Sequence, residues 1–289
     1  MEMAMLVKVL LGGCLLVSGV VMMGCCKQNI CGKNCEPKTV NCTIVAHRGF
    51  SSIAPENTLI AMVKGCEAKA DGCELDVHQT KDGHIVVMHD GDVKRTTDGE
   101  GKIAEMTLAE IKKLDAGSWK GPEYKGEPVP TLEEVLKRVK AMNGHVVVEI
   151  KADGIAAGVL AAIKAQRMQD HVTVISFSEQ AVKDVRALDP KMPIGFLYGS
   201  DKTPGETPME KAKWLAEKTR TMGAGIIDIA WNLVTPELVQ EFHRQGMMVW
   251  AWTVDDPDEM AKLMSMGVDS ITTNKPDVGL SIRKQQIVQ

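Results

Sequence analysis

Residues 73–90 read CELDVHQTKDGHIVVMHD, and the fold depends on how this stretch is divided. Residues 73–77 and 84–88 each have the apolar, β-branched character of a short strand. Between them, Gln79-Thr80-Lys81-Asp82-Gly83 leaves no room for a helix, and Asp82-Gly83 is a turn signal. Parallel neighbours need a crossover of a dozen or more residues. The two runs are therefore the arms of a hairpin, the second returning along the first.

In both directions from this hairpin the chain alternates strand and helix. Strands are expected at 43–46, 73–77, 84–88, 146–150, 172–176, 193–197, 225–229, 248–252 and 270–272. Helical periodicity appears near 58–70, 132–141, 155–166, 179–188, 209–221, 235–245 and 257–264. Such alternation argues for a parallel sheet clothed in helices. Nine strand candidates exceed by one the number in a closed barrel, and the return arm at 84–88 accounts for the excess. The expected fold is α/β, a (β/α)8 TIM barrel with a small insertion after the second strand. A doubly wound open sheet is the competing arrangement. The insertion, residues 91–130, is rich in Gly, Asp and Lys, with one short helical piece at 108–114 and no clear apolar stripe. Active sites of such barrels lie at the C-terminal strand ends, so the insertion is expected at the rim where substrate enters.

The chain of 289 residues is 44% hydrophobic and 25% charged, as in a soluble globular protein. Its formal charge of −4 gives no sign of the basic face of a nucleic-acid binder. The start differs. Lys8 precedes an apolar run from Val9 to Met23 that ends in Gly24-Cys25-Cys26. At about 15 residues the run is short for a bilayer span but fits the core of a secretory signal. Val21-Met22-Met23-Gly24-Cys25 resembles a bacterial lipobox, loosely at the two Met positions, which would make Cys25 a lipidated N-terminus. A cleaved soluble signal and an uncleaved anchor are the alternatives. The expected organisation is a signal at 1–26, a polar linker at 27–42 and one domain at 43–289, exported to the cell envelope or periplasm with a possible membrane tether. Cys31 and Cys35 could pair in an oxidising compartment, whereas Cys66 and Cys73 are expected to pack as small hydrophobes.

Ionisable residues recur where the apolar strands stop. Glu74 and Asp76 lie two apart in a strand and so share a face, and Glu149 ends the neighbouring strand. Three carboxylates at one point repel, and a divalent cation relieves them. All-oxygen ligands favour Ca2+ or Mg2+ over zinc. Neutralisation by Arg48 and Lys151 is the rival reading. His47 and His89 reach the same rim, and two imidazoles near pH 6.5 can hold one base and one acid. Arg48 offers a fork and Lys151 a point charge for phosphate, completing a set suited to displacement at phosphorus. His78 shares the parity of Glu74 and Asp76 and could touch the site. His84, His145, His171 and His243 fall at turns or helix faces and are expected to be solvated.

Ala46-His47-Arg48-Gly49, Ala54-Pro55-Glu56-Asn57-Thr58, Glu74-Leu75-Asp76-Val77, Val87-Met88-His89-Asp90, Val148-Glu149-Ile150-Lys151 and Thr272-Thr273-Asn274-Lys275-Pro276 follow in this order. The set resembles the glycerophosphodiester phosphodiesterase family from about residue 43 to 282. The resemblance implies that Glu74, Asp76 and Glu149 hold a divalent metal, Ca2+ or Mg2+, and that His47 and His89 are general base and general acid. It further implies that Arg48 and Lys151 bind phosphate, that Glu56 and Asn57 brace the first loop, and that Trp252 lines the substrate pocket. For Trp252, a buried barrel residue is the rival reading. The implied reaction is metal-dependent hydrolysis of a small glycerophosphodiester to glycerol 3-phosphate and an alcohol such as choline or ethanolamine. Water, or the glycerol's own 2-hydroxyl by way of a cyclic phosphate, would attack. Lysophospholipase D-like activity and a catalytically silent phosphodiester-binding barrel are the alternatives.

Overall fold

Runs such as Val146-Val-Val-Glu-Ile150 and Val172-Thr-Val-Ile-Ser176 are buried at every residue, as expected of strands covered on both faces. The computed structural model describes residues 42–287. The expected signal, Cys25, the Cys31–Cys35 pair and nearly all of the linker lie outside them. The strands are β1 (Thr43–Ala46), β2 (Gly72–Gln79), β3 (Ile85–Val87), β4 (Val146–Ile150), β5 (Val172–Ser176), β6 (Ile194–Tyr198), β7 (Ile226–Ala230), β8 (Met248–Trp252) and β9 (Ser270–Thr273). Around the ring the order is β1-β9-β8-β7-β6-β5-β4-β2, and β1 also pairs with β2. Every one of those pairings is parallel. Pairing of β1 on both sides closes the sheet, so the fold is an eight-stranded barrel and not the open alternative. β3 stands outside the ring and pairs antiparallel with β2, Val77 opposite Val87.

The helices are α1 (Leu59–Glu67), α2 (Leu108–Ile111), α3 (Leu132–Lys140), α4 (Ala156–Ala165), α5 (Glu179–Leu188), α6 (Pro208–Thr221), α7 (Pro236–Arg244), α8 (Pro257–Met266) and α9 (Pro276–Ile287). Several start on residues chosen to cap them. Thr131 and Thr207 form capping boxes with Glu134 and Glu210, while Ser178, Thr235 and Asp256 accept from the first-turn amides. Proline at the start of α6, α7 and α8 fixes φ where no amide proton is needed. These caps follow strand ends and therefore set the loops at the C-terminal rim. Among the described residues, no helix is long and apolar enough to cross a membrane.

Apolar packing forms a large layer between strands and helices and a small one inside the ring. The inner layer is Val45, Val147, Ile175, Leu197, Ile226 and Trp250. One inward-facing position further along the same strands, the side chains become Glu149, Asp228 and Trp252, beside Glu74 and Asp76 of β2. The barrel is thus apolar at its waist and acidic near its C-terminal mouth.

The insertion has a small core that its sequence does not advertise. Val93, Ile103, Ile111, Ala116 and Val129 pack on Val86 and Met88 of the hairpin arm. They are gathered by turns and 3-10 segments, not by a helical period, and the helical piece expected at 108–114 shortens to α2. One histidine corrects the expectation of solvation. His145 is half-buried at the N-terminal end of the barrel, with Nε2 3.0 Å from Thr173 Oγ1, and burial lowers its pKa. His243 is exposed as expected, with Nε2 2.9 Å from Asp269 Oδ2. Cys66 and Cys73 pack as expected, their sulfurs 4.0 Å apart.

Candidate active site

At the end of β1 the chain turns back on itself. Arg48 and Gly49 take φ of +55° and +77°, a region costly for most residues but open to glycine. A Cβ on Gly49 would lie 2.5 Å from the carbonyl carbon of Ala61 in α1, so no other residue fits this approach. The turn points the Arg48 amide at Glu74, whose Oε2 accepts from it at 2.8 Å. Asn57, also left-handed at φ +59°, grips Asp76 at two points. Its Nδ2 donates to Asp76 Oδ2 at 2.8 Å, and its Oδ1 accepts from the Asp76 amide at 3.1 Å.

The carboxylates of Glu74, Asp76 and Glu149 each offer an oxygen within 4.8 Å of the others. The β2–β4 register, which sets Asp76 beside Glu149, produces this grouping. Arg48 Nε lies 3.5 Å from Asp76 Oδ2, and Lys151 Nζ lies 2.9 Å from Glu149 Oε1 and 3.5 Å from Asp76 Oδ1. The ion pairs of the rival reading therefore exist. They do not settle the site, because two cations face three buried acids. Burial, then the charges of Asp76 and Glu149, push the Glu74 carboxyl well above its ordinary range. Burial and Asp76 together raise Glu149 to about 7. Burial also opposes ionisation of Asp76, but Arg48 and Lys151 outweigh it and hold that group low. Asp76 Oδ1 is buried without a hydrogen-bond partner. A bare oxygen and two acids denied their charge are what a hard divalent cation would remedy, so the residues fit one.

His47 and His89 both line the pocket, each held by its own set of hydrogen bonds. His47 Nδ1 is 2.8 Å from Asn274 Oδ1. The Asn274 amide is oriented by its other neighbours: Nδ2 donates to Asp255 Oδ2 at 2.6 Å, and Ser51 Oγ donates to Oδ1 at 2.7 Å. Oδ1 can therefore only accept from His47, which puts the ring proton on Nδ1 and leaves a lone pair on Nε2. Burial, aided by Arg48, lowers the His47 pKa and keeps the ring neutral. Nε2 lies 4.0 Å from Glu74 Oε2.

His89 follows β3. Its Nδ1 is 2.6 Å from Asp90 Oδ1, and its carbonyl accepts from His78 Nε2 at 3.1 Å. His78 thus braces the backbone of His89 and does not line the pocket. The Arg95 hydrogen bond, and then that of His89, hold Asp90 well below the usual carboxylate range. Arg95, from the insertion, donates to Asp90 Oδ2 at 2.6 Å and to Glu56 Oε1 at 2.8 Å. Glu56 Oε1 also accepts from Arg48 Nη1 at 2.7 Å.

One pocket brings together His47, Arg48, Glu74, His89, Glu149 and Lys151, and Trp252 also lines it. Asp76 lies directly beneath, 1% exposed. Glu56 and Asn57 do not line it; they hold Arg48 and Asp76. Trp252 is half-buried, packed edge-on against Phe177 at 5.4 Å, and its indole donates to the Asp228 carbonyl at 3.0 Å. Several residues of the site carried no role in the sequence reading, among them Asn274, Asp90, Arg95 and Asp228. The first two stood inside quoted motifs, where their polarity was the available signal. Arg95 was hidden in the polar insertion, and Asp228 in an apolar strand.

Residues 47–278 match the glycerophosphoryl diester phosphodiesterase family. The chain is 37% identical over 244 residues to a glycerophosphodiester phosphodiesterase of Caldanaerobacter subterraneus, covering 83% of this chain and 96% of that one. It is 33% identical to one of Bacillus subtilis, covering 83% and 86%. Among solved structures it is similar to an Oleispira antarctica phosphodiesterase in complex with the product sn-glycerol-3-phosphate, with a TM-score of 0.73 and 30% identity over 83% of this chain and 96% of that one.

Proposed function

This chain belongs to the glycerophosphoryl diester phosphodiesterase family and is a glycerophosphodiester phosphodiesterase, and from that premise we propose how its residues divide the work. Glu74, Asp76 and Glu149 hold a divalent cation, Ca2+ or Mg2+, and His47 and His89 supply base and acid. The observation that carries this reading is one pocket containing a neutral imidazole with a free lone pair, a second imidazole and an overcrowded carboxylate trio.

The substrate phosphate is drawn in by Arg48 and Lys151, which flank the trio. When bound, the cation supplies Lewis-acid neutralisation of phosphate oxygens. His47 Nε2 takes the proton from the attacking oxygen, and the resulting imidazolium keeps its Nδ1 proton on Asn274. His89, oriented by Asp90, delivers a proton to the departing alcohol. Positioned acid–base groups contribute about 10²–10⁴-fold each. The products are glycerol 3-phosphate and an alcohol, in keeping with the product held by the Oleispira relative.

Incubating the purified protein with glycerophosphocholine, with and without EDTA, tests the reading through coupled detection of glycerol 3-phosphate. Release that EDTA abolishes and added Ca2+ or Mg2+ restores is expected. Release that persists through chelation would remove the cation from the reaction.

A second reading, lysophospholipase D-like activity, is favoured by exposed Phe177 and Trp231, which follow β5 and β7 at the mouth. Comparable turnover of lysophosphatidylcholine micelles would establish it. Export with a lipid tether at Cys25 is a further part of the proposal, supported by the apolar run and lipobox-like sequence.

A further inference from the structure

β7 is an apolar strand with one acid in it, Ile226-Ile-Asp-Ile-Ala230. Asp228 follows Ile226 on the inward-facing side, is 1% exposed and lines the active-site pocket. Its Oδ1 is buried with no hydrogen-bond partner. Ile175, Leu197 and Glu149 line the pocket with it, and Trp252 donates to its backbone carbonyl. A buried carboxyl left unpaired is costly, and native proteins seldom keep one without use.

Two uses do not suit it. Among the described residues, the acids whose oxygens converge within 4.8 Å are Glu74, Asp76 and Glu149, so Asp228 is not part of the cation set. Nor does a carboxyl suit the anionic phosphate, whose place is with Arg48 and Lys151. A hydroxyl does suit it, because a hydroxyl donates to a carboxylate and accepts from a carboxylic acid. Resting on the diesterase reading above, we infer that Asp228 is a specificity-determining residue that hydrogen-bonds a hydroxyl of the substrate's glycerol. It discriminates by default, since a diester without that hydroxyl leaves the carboxyl unpaired in a closed wall. Sites built around such a group reject the deoxy analogue strongly.

The test compares wild type with Asp228→Leu, which keeps the branched outline with bulkier ends and removes the polarity, on two substrates. One is glycerophosphoethanolamine and the other ethyl phosphoethanolamine, which lacks the glycerol hydroxyls. Wild type is expected to prefer the first by about 10- to 100-fold in kcat/KM. In Asp228→Leu that preference collapses, because the loss on the first substrate far exceeds any change on the second. The melting temperature holds or rises, because an unpaired buried group has gone. Calorimetric binding of glycerol 3-phosphate against ethyl phosphate should show the same collapse, and it tests the glycerol contact without turnover or a leaving alcohol. An equal fall on both substrates with a lower melting temperature, or an intact preference, would overturn the assignment. If the leucine variant misfolds, Asp228→Ala takes its place with the same expectations. Failure of the diesterase reading would be seen separately, as wild type hydrolysing neither diester, with no glycerol 3-phosphate from the first and no ethyl phosphate from the second.

Discussion

The imidazole of His47 and the side-chain amide of Asn274, 227 residues apart in sequence, meet at 2.8 Å, and the amide in turn is held by Asp255. The proton position on His47 is therefore set from β9's end of the chain. Asn274→Ala should free the ring to exchange tautomers while leaving the pocket intact. We expect kcat to fall about 10- to 100-fold, less than the full loss in His47→Ala, which removes an acid–base group worth about 10²–10⁴-fold. Steady-state kinetics on both variants would check it, and equal losses would mean that Asn274 does more than orient.

A cation held by the trio of acids, as proposed, would bind in a pH-dependent way. Glu149 in the cation-free protein is raised to about 7, first by burial and then by Asp76. Its folded value exceeds its unfolded one, so between about pH 4.5 and 7 the folded state binds more protons. Stability of the cation-free fold then falls as pH rises across that window. Cation binding needs the ionised acids, so Ca2+ or Mg2+ should raise the melting temperature more at about pH 8 than at about pH 5.5. Thermal melts with and without EDTA would show this, and equal shifts at both values would remove the trio as the binding site.

Arg95 spans two catalytic loops by bonding both Asp90 and Glu56, yet its side chain is 44% exposed. Exposed ion pairs contribute little to stability. Arg95→Ala should leave the melting temperature within a degree or so while lowering kcat about tenfold. Loss of stability without loss of rate would make Arg95 a fold residue only.

His145 lies at the opposite end of the barrel from the pocket residues. Burial lowers its folded pKa below the ordinary 6.5, so the unfolded chain takes up a proton that the folded one resists. Its contribution is intact above about 6.5 and is lost as pH falls through the lowered value. His145→Gln should flatten that part of the acid limb. Urea midpoints at about pH 5 and pH 7.5 would test it, and an unchanged difference would assign the limb elsewhere.

If Cys25 is lipidated, a radiolabelled fatty acid should be incorporated into the full chain in a bacterial host and the protein should sediment with membranes. Cys25→Ser should abolish both. Label retained in the serine variant would place the modification elsewhere.

The barrel was legible because its strands carry continuous β-branched runs and its helices begin on capping residues, both local properties. The hairpin was legible from Asp82-Gly83 and the short gap between Val77 and His84. Glu74, Asp76 and Glu149 could be grouped because strand parity and neighbouring order are enough. Asp228 could not. A lone acid in Ile-Ile-Asp-Ile reads the same whether it points inward to a pocket or outward, and only the closed ring decides. Asn274 carried its motif without its purpose, because its partner is chosen by β1 and β9 becoming neighbours. The apolar residues of the insertion have no period to betray that they meet.

The pairing of β1 with β9 also bears on when the enzyme can begin to work. During synthesis β1 emerges early and β9 almost last, so the groove beside β1 stays open until the final strand arrives. Until then His47 lacks the partner that fixes its proton, and the pocket has no wall at that seam. An unfinished chain carries the pocket residues of its first half without the wall that completes the site. Ring closure is thus what brings Asn274 to His47, and the pocket is whole only when the fold is.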